Sequence, residues 1–215
     1  MSTVLVIKAH PKTEAVSNAL TIGDRFIETY QQTHPQDQIL VHDLYAEGVP
    51  EIDSSNLDSW KKLTNGVTYQ ELSNNEQILL SRQQQLQEQF IQADKYVFIS
   101  PMYNLFLPNR LKMYLDLVIV STKTWVEGEH GPEGTLHDKK AIHVQSSGGT
   151  YHHTNNAFMA TLDMGDSYLK TLLDQVGIKD YQGIYCEGNS HRDADDMAAN
   201  REIIAKEAEK AAKEF

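Results

Sequence analysis

Tyr96-Val97-Phe98-Ile99-Ser100-Pro101-Met102-Tyr103-Asn104 runs from an unbroken apolar segment into a proline and then an aromatic-amide pair. An apolar run without alternation reads as a strand covered on both faces, as in the middle of a parallel sheet. Pro101 has no amide proton for the ladder and biases Ser100 towards extended geometry, so the strand ends there. In an open α/β sheet, ligands sit at the carboxyl ends of the strands. Met102-Tyr103-Asn104 therefore falls where a ligand would.

Working outward, four more segments read as strands: Val4 to Ile7, Ile39 to Leu44, Lys140 to Gln145, and part of Asp180 to Cys186. Helical stretches lie between them. One opens at Ser17, a plausible N-cap, and reaches about Gln32. Ser73 to Ala93 is Gln-rich, with a rough apolar stripe through Ile78, Leu79, Leu86, Phe90 and Ile91. Pro108 opens a helix to about Val120. Tyr168 to Val176 and the charged, amphipathic Asp195 to Phe215 are the last two. Asp53 to Asn75 reads as an excursion with short helical pieces, and Lys123 to Gly134 as an aromatic, Gly-containing loop. Alternating strands and helices predict an α/β fold with helices on both faces of a parallel sheet. Five strands suit the flavodoxin-like order 2-1-3-4-5, with its crevice at the β1/β3 switch point. No repeat or linker divides residues 1–215, so one domain is expected.

The chain has 19 Lys plus Arg against 30 Asp plus Glu, a formal net charge of -11. That balance argues against a general nucleic-acid binder, which needs a basic face. Cys186 is the one cysteine, so no intrachain disulfide forms, consistent with a reducing compartment. The apolar run at the N-terminus is too short for a signal peptide, and no segment approaches the roughly 18 residues of a membrane span. A cytoplasmic protein with no membrane or nucleic-acid partner is expected.

Three loops follow three strands at one sheet edge. His10 to Ala19 ends with Ser17, Asn18 and Ala19, which present free amides and a hydroxyl at a helix N-terminus, suited to a phosphate. Taken alone, Ser17 is simply a cap. In the second loop, Met102, Tyr103 and Leu105 surround Asn104, an amide able to donate and accept. This suits a flat heteroaromatic ring with a polar edge, such as a flavin; a strand cap with two core residues fits as well. The third loop, Ser146-Ser147-Gly148-Gly149, allows close approach of backbone to a ligand, although a lone Gly-Gly is more often an ordinary turn. Coincidence of the three at one crevice favours the ligand reading. His152-His153 lacks further ligands at motif spacing, so no metal is expected. No G-x-G-x-x-G follows the first strand, and there is no P-loop or nucleophile elbow. Cys186 on an apolar strand reads as a buried thiol. Trp125, outside any apolar period, reads as an exposed aromatic for ligand or subunit contact, with a core cap as the plainer alternative.

These residues resemble the FMN-dependent NADH-azoreductases of the flavodoxin-like quinone reductase group, nearly end to end. The resemblance is carried by Val4 to Pro11, Ser17, Pro101-Met102-Tyr103-Asn104, Pro108, Lys112, Lys123-Thr124-Trp125, Gly131-Pro132-Glu133-Gly134, Gly148-Gly149 and Glu187-Gly188. It implies that His10, Ser17, Asn18 and Ala19 meet the FMN phosphate or ribityl chain. It implies that Pro101, Met102, Tyr103, Asn104 and Leu105 hold the ring, and that Ser146, Ser147, Gly148 and Gly149 contact its polar edge. Trp125 would reach over the flavin of a partner subunit in a homodimer. Many relatives have serine at Ala19 and arginine at Ser147. The first departure loses a hydroxyl contact and the second a cation.

The resemblance further implies a two-step hydride relay, from NADH to bound FMN and then to a quinone or an azo compound. NADPH is not excluded as donor. The cofactor carries this chemistry, so no side chain is assigned as a catalytic acid or base. A flavodoxin-like electron carrier and a non-catalytic flavin-binding module are the competing readings; the first predicts no direct reaction with NADH.

Overall fold

Each apolar run singled out above is a strand in the computed structural model, which describes residues 1–12 and 17–215. In chain order the elements are β1 (Thr3–Lys8), α1 (Asn18–Thr33), β2 (Gln38–Asp43), α2 (Ser54–Thr64), α3 (Asn74–Gln92), β3 (Lys95–Pro101) and α4 (Asn109–Val118). There follow β4 (Trp125–Gly128), β5 (Gly131–Gly134), β6 (Lys140–Ser146), α5 (Met164–Gln175), β7 (Asp180–Cys186) and α6 (Ala194–Glu214). Five strands form one parallel sheet in the order β2-β1-β3-β6-β7. With the β4-β5 pair set aside, this is the expected 2-1-3-4-5. Register is continuous through the middle: Val6 pairs with Val41 and Val97, and Val97 pairs with Ile142.

Side chains alternate across the sheet, so each buried strand feeds two cores. Leu5, Ile7, Tyr96, Phe98 and Ala141 pack under α3, α4 and α5. Val4, Val6, Val97, Ile99, Ile142, Val144 and Ile184 pack under α1 and α6. Full burial of one such side chain contributes roughly 1.5–3 kcal/mol, which is why the central strands read so clearly from sequence. On α6 the buried face is largely alanine (Ala205, Ala208, Ala211 and Ala212), letting α1 lie close beside it. Arg25 of α1 reaches across to Glu209, and to Glu202 at 3.6 Å.

Three expectations are corrected. Lys123 to Gly134 is not simply a loop: β4 and β5 form an antiparallel hairpin, Trp125 opposite Gly134. Trp125 is half-buried against the core beneath α3–α5 rather than exposed, because the hairpin folds back onto the domain. There Gly134 lies so close to the Val176 and Gly177 backbone that a Cβ would collide with it, and Leu136 N–H donates to Val176 O at 2.8 Å. The helix placed at Tyr168 starts at Met164, because Asp163 caps it by accepting from Asp166 N–H. Pro108 stands just before α4, which begins at Asn109. The excursion after β2 contains α2, capped by Asp53, and a short 3-10 turn over Tyr69–Glu71.

A candidate cofactor site at the carboxyl edge of the sheet

The loops after β1, β3 and β6 lie on adjacent strands and are stitched to one another. Ala9 N–H donates to Ile99 O at 2.8 Å, Met102 N–H to Ser146 O at 2.8 Å, and Ser147 N–H to Cys186 O at 3.0 Å. The first loop thus sits beside the second, and the second beside the third, as the three-loop reading requires.

In the first loop, Thr13 to Val16 lie outside the described residues. Ser17 is buried and caps α1, its Oγ accepting from Leu20 N–H at 3.2 Å. The cap reading is therefore correct, and the hydroxyl proton remains available to a further acceptor. No protein partner stands against the Asn18 or Ala19 amide among the described residues, as first-turn geometry dictates. The Ala19 side chain faces inward, fully buried. His10 Nδ1 accepts from Lys12 N–H at 3.0 Å, so a neutral ring carries its proton on Nε2, the nitrogen left to donate.

The second loop is a two-residue turn. Tyr103 and Phe106 exchange backbone bonds of 2.9 and 3.0 Å, and Asn104 and Leu105 between them have φ of 49° and 66°. Two left-handed central residues mark a type I′ turn. Asn tolerates that region; Leu seldom does, so Leu105 stores backbone strain. It is held there because α5 presses on the turn. Gly165 N–H donates to Leu105 O at 3.1 Å, and a Cβ on Gly165 would stand 2.7 Å from Leu107 N. Among the described residues this leaves the Asn104 and Leu105 amides without a protein partner, and Asn104 is exposed. Pro101 is buried, Met102 half-buried and Tyr103 exposed, which suits an anchor followed by contact surface.

In the third loop, Ser146 is half-buried and Ser147 buried, with Ser147 Oγ–H donating to Gly149 O at 2.9 Å. A Cβ on Gly148 would meet the Ser190 hydroxyl and one on Gly149 the Tyr151 hydroxyl at 2.7 Å, both side-chain ends that would have to move aside.

Beside these loops lies a buried polar network that sequence reasoning missed. His143 on β6 is fully buried, with Nδ1 2.8 Å from Asp166 Oδ1 and Nε2 3.0 Å from Ser100 Oγ, one residue before Pro101. Tyr185 donates to Asp166 Oδ2 at 2.9 Å, and Tyr181 to Asp166 Oδ1. Burial opposes ionisation of Asp166, but the His143, Tyr181 and Tyr185 hydrogen bonds prevail and hold its carboxyl at about 2. Burial and the Asp166 charge push both tyrosines up. Next to this, Asp163 accepts from Gln145 and lies 2.8 Å from His152 Nε2, while the His152 ring stacks on Tyr185 at 3.5 Å. Burial lowers the His152 pKa, the Asp163 hydrogen bond and charge raise it, and the net displacement is upward. Glu187 accepts from the Tyr151, His152 and His153 amides at 2.9–3.1 Å. His152 and His153 are thus carboxylate partners on separate acids. Burial pushes the Cys186 thiol up, in keeping with a buried thiol.

The readable signal was His143 and Gln145, two polar residues on one face of an otherwise buried strand, which must find partners. Among the described residues no hydrogen bond or ring contact joins Trp125 to the three loops. A surface cavity of about 810 Å³ between α2 and the start of α3 is lined by Asp53, Lys62, Glu76 and Leu79 among others, none from the three loops. Among the described residues no helix is long and apolar enough to cross a membrane.

A protein family described as having a flavodoxin-like fold matches residues 2–210. An FMN-dependent NADH:quinone oxidoreductase of Geobacillus kaustophilus is 41% identical over 209 residues, covering 96% of this chain and 98% of that protein. One from Staphylococcus aureus is 43% identical over 190 residues, 88% of each. This chain belongs to the FMN-dependent NADH-azoreductase family. The azoreductase fold is shared throughout its length. An FMN-dependent NADH-azoreductase from Bacillus anthracis, solved in complex with FMN, superposes with a TM-score of 0.90 at 31% identity, covering 100% of this chain and 99% of that one. A second Bacillus anthracis azoreductase gives 0.87 at 26% identity, with both chains fully covered.

Proposed function

We propose that this chain is an FMN-dependent NADH:quinone oxidoreductase that also reduces azo compounds, acting as one flavodoxin-like domain over residues 1–215. The observation that carries the reading is the set of open backbone amides at the α1 N-terminus and in the Tyr103–Phe106 turn, stitched onto adjacent strands. Those donors fit FMN: a phosphate takes amides at a helix N-terminus, and a ring with a polar edge takes amides from a tight turn.

The bound FMN supplies the hydride transfer between NADH and the acceptor. The Asn18 and Ala19 amides, the Ser17 hydroxyl and His10 Nε2 bind the phosphate end. Pro101, Met102 and Tyr103 would hold the ring, and the Asn104 and Leu105 amides together with Ser146, Ser147, Gly148 and Gly149 would meet its polar edge. Donors fixed in this way stabilise negative charge that develops on the ring without reorganising. No side chain is assigned as an acid or base, and the acceptor's proton comes from water.

In this reading the enzyme is a cytoplasmic homodimer, and Trp125 meets the acceptor across the subunit interface. What supports this is its partial exposure on the β4-β5 hairpin, with no hydrogen bond or ring contact to the three loops among the described residues. The test is the visible spectrum of the FMN-loaded protein before and after anaerobic NADH. Prompt bleaching of the flavin bands is expected. Flavin that stays oxidised would make the chain a carrier fed by another reductase, and failure to bind flavin would remove the site assignment.

A further inference from the structure

We infer that Arg201 of α6 is a binding residue for the cofactor phosphate, a proposal that rests on the FMN reading above. Arg201 is half-buried on the side of α6 that faces α1, and its Nη1 stands 3.4 Å from Asn18 Oδ1, on the first residue of α1. Side chains on a helix lean towards its N-terminus. The N-terminus of α6 follows β7 directly, so Arg201 leans towards the carboxyl edge of the sheet, where the Asn18 and Ala19 amides stand open.

Arg201 lacks a counter-charge; Arg110 lacks one too, but its guanidinium donates to Leu44 O at 3.1 Å and lies over the Tyr45 ring, and Arg192 is exposed to solvent. Arg25 is paired with Glu209 and Glu202, and Arg82 with Glu47 at 2.7 Å. Arg201 has no carboxylate within ion-pair distance among the described residues, in a chain with 30 acidic groups against 19 basic ones. Its neighbour Glu202 is engaged by Arg25 and lies 4.0 Å from Lys206. A half-buried guanidinium loses hydration without recovering it from one long contact to a neutral amide, so its environment is complete only with an anion. The anion that fits is a phosphate monoester at the α1 N-terminus, where helix amides and a guanidinium fork would act on it together. The Asn18 contact holds the fork against α1.

The test compares FMN with riboflavin, which lacks the phosphate, by equilibrium dialysis against the full chain. Arg201→Gln is expected to weaken FMN about tenfold, the magnitude of one charge-assisted hydrogen bond, with riboflavin affinity unchanged. Arg201→Lys, which keeps the charge, should retain most of the FMN affinity. A thermal unfolding midpoint for each flavin-free variant separates binding from folding. Equal weakening of FMN and riboflavin would give Arg201 a structural role only, and unchanged FMN affinity in Arg201→Gln would remove it from the site; either overturns the proposal. If the unaltered chain binds neither flavin, the FMN reading itself falls, an outcome distinct from both.

Discussion

The two halves of the sheet's carboxyl edge are built on opposite plans. On the β1–β3 side the polar groups are backbone amides, at Asn18, Ala19, Asn104 and Leu105, that have no protein partner among the described residues. On the β6–β7 side His143, Asp166, Tyr181, Tyr185, His152 and Asp163 satisfy one another, and Glu187 takes three further amides. On the FMN reading the first half is open to a ligand, while the second pairs its polar groups within the protein apart from Gln145 Oε1, which has no partner among the described residues. On that reading, rigidity would lie behind the cofactor and open donors in front of it, which is how a site is preorganised at little cost to ligand affinity.

The sharpest way to break this comparison is Asp166→Ala, which strands a buried imidazole and two buried hydroxyls. A loss of about 3–5 kcal/mol in urea unfolding is expected; a loss under about 1 kcal/mol would mean the network does not hold the β6–β7 side. Ser17→Asp attacks the other half. It should weaken FMN by about 3 kcal/mol, roughly a hundredfold, through like-charge repulsion and a lost hydroxyl donor. The flavin-free unfolding midpoint should hardly move, since aspartate caps a helix as well as serine. Unchanged flavin occupancy would end the phosphate assignment.

Removal of FMN sharpens the contrast. Amide exchange at Asn18, Ala19, Asn104 and Leu105 should accelerate, while Tyr151, His152 and His153 stay protected by Glu187. Equal acceleration on both sides would show that the network, too, needs the ligand. The smallest effects are in pH dependence. Asp166 has a folded value below its unfolded one, so its contribution is present above about 3.8 and is lost as pH falls through about 2. His152 has a raised folded value, so its contribution is full below about 6.5 and is lost as pH rises through that folded value. A modest alkaline loss of stability, absent in His152→Ala, is expected in thermal unfolding followed from pH 6 to pH 9 on the scale of about 1 kcal/mol or less.

The central strands β1, β3 and β6 were legible because they are largely apolar on both faces and end at Pro11, at Pro101 and at Gly148-Gly149. Ser17 was legible as a cap for an equally local reason. The β4-β5 hairpin was not, since Trp-Val-Glu-Gly and Gly-Pro-Glu-Gly carry no alternation and are shaped by docking on Val176 and Gly177. Trp125 was misread as exposed for the same cause. The polar network was hidden because its members are scattered from Ser100 to Glu187 and meet only through sheet register. Its one local trace was His143 and Gln145 inside an apolar strand. Loop positions were thus foreseeable from the topology, and what stiffens them was not.

The helix α5 carries a consequence for how the chain can change over evolutionary time. Its first turn presses on the Phe106–Leu107 backbone through Gly165, and its far end receives the hairpin at Val176. The helix between the two abutments is twelve residues long, Met164–Gln175, a length of about 18 Å. A one-residue insertion would both lengthen this strut and rotate one abutment by about 100° against the other. Length variation among descendants of this chain should therefore collect between Thr150 and Leu162, where the backbone is irregular, and leave α5 at its present number of turns.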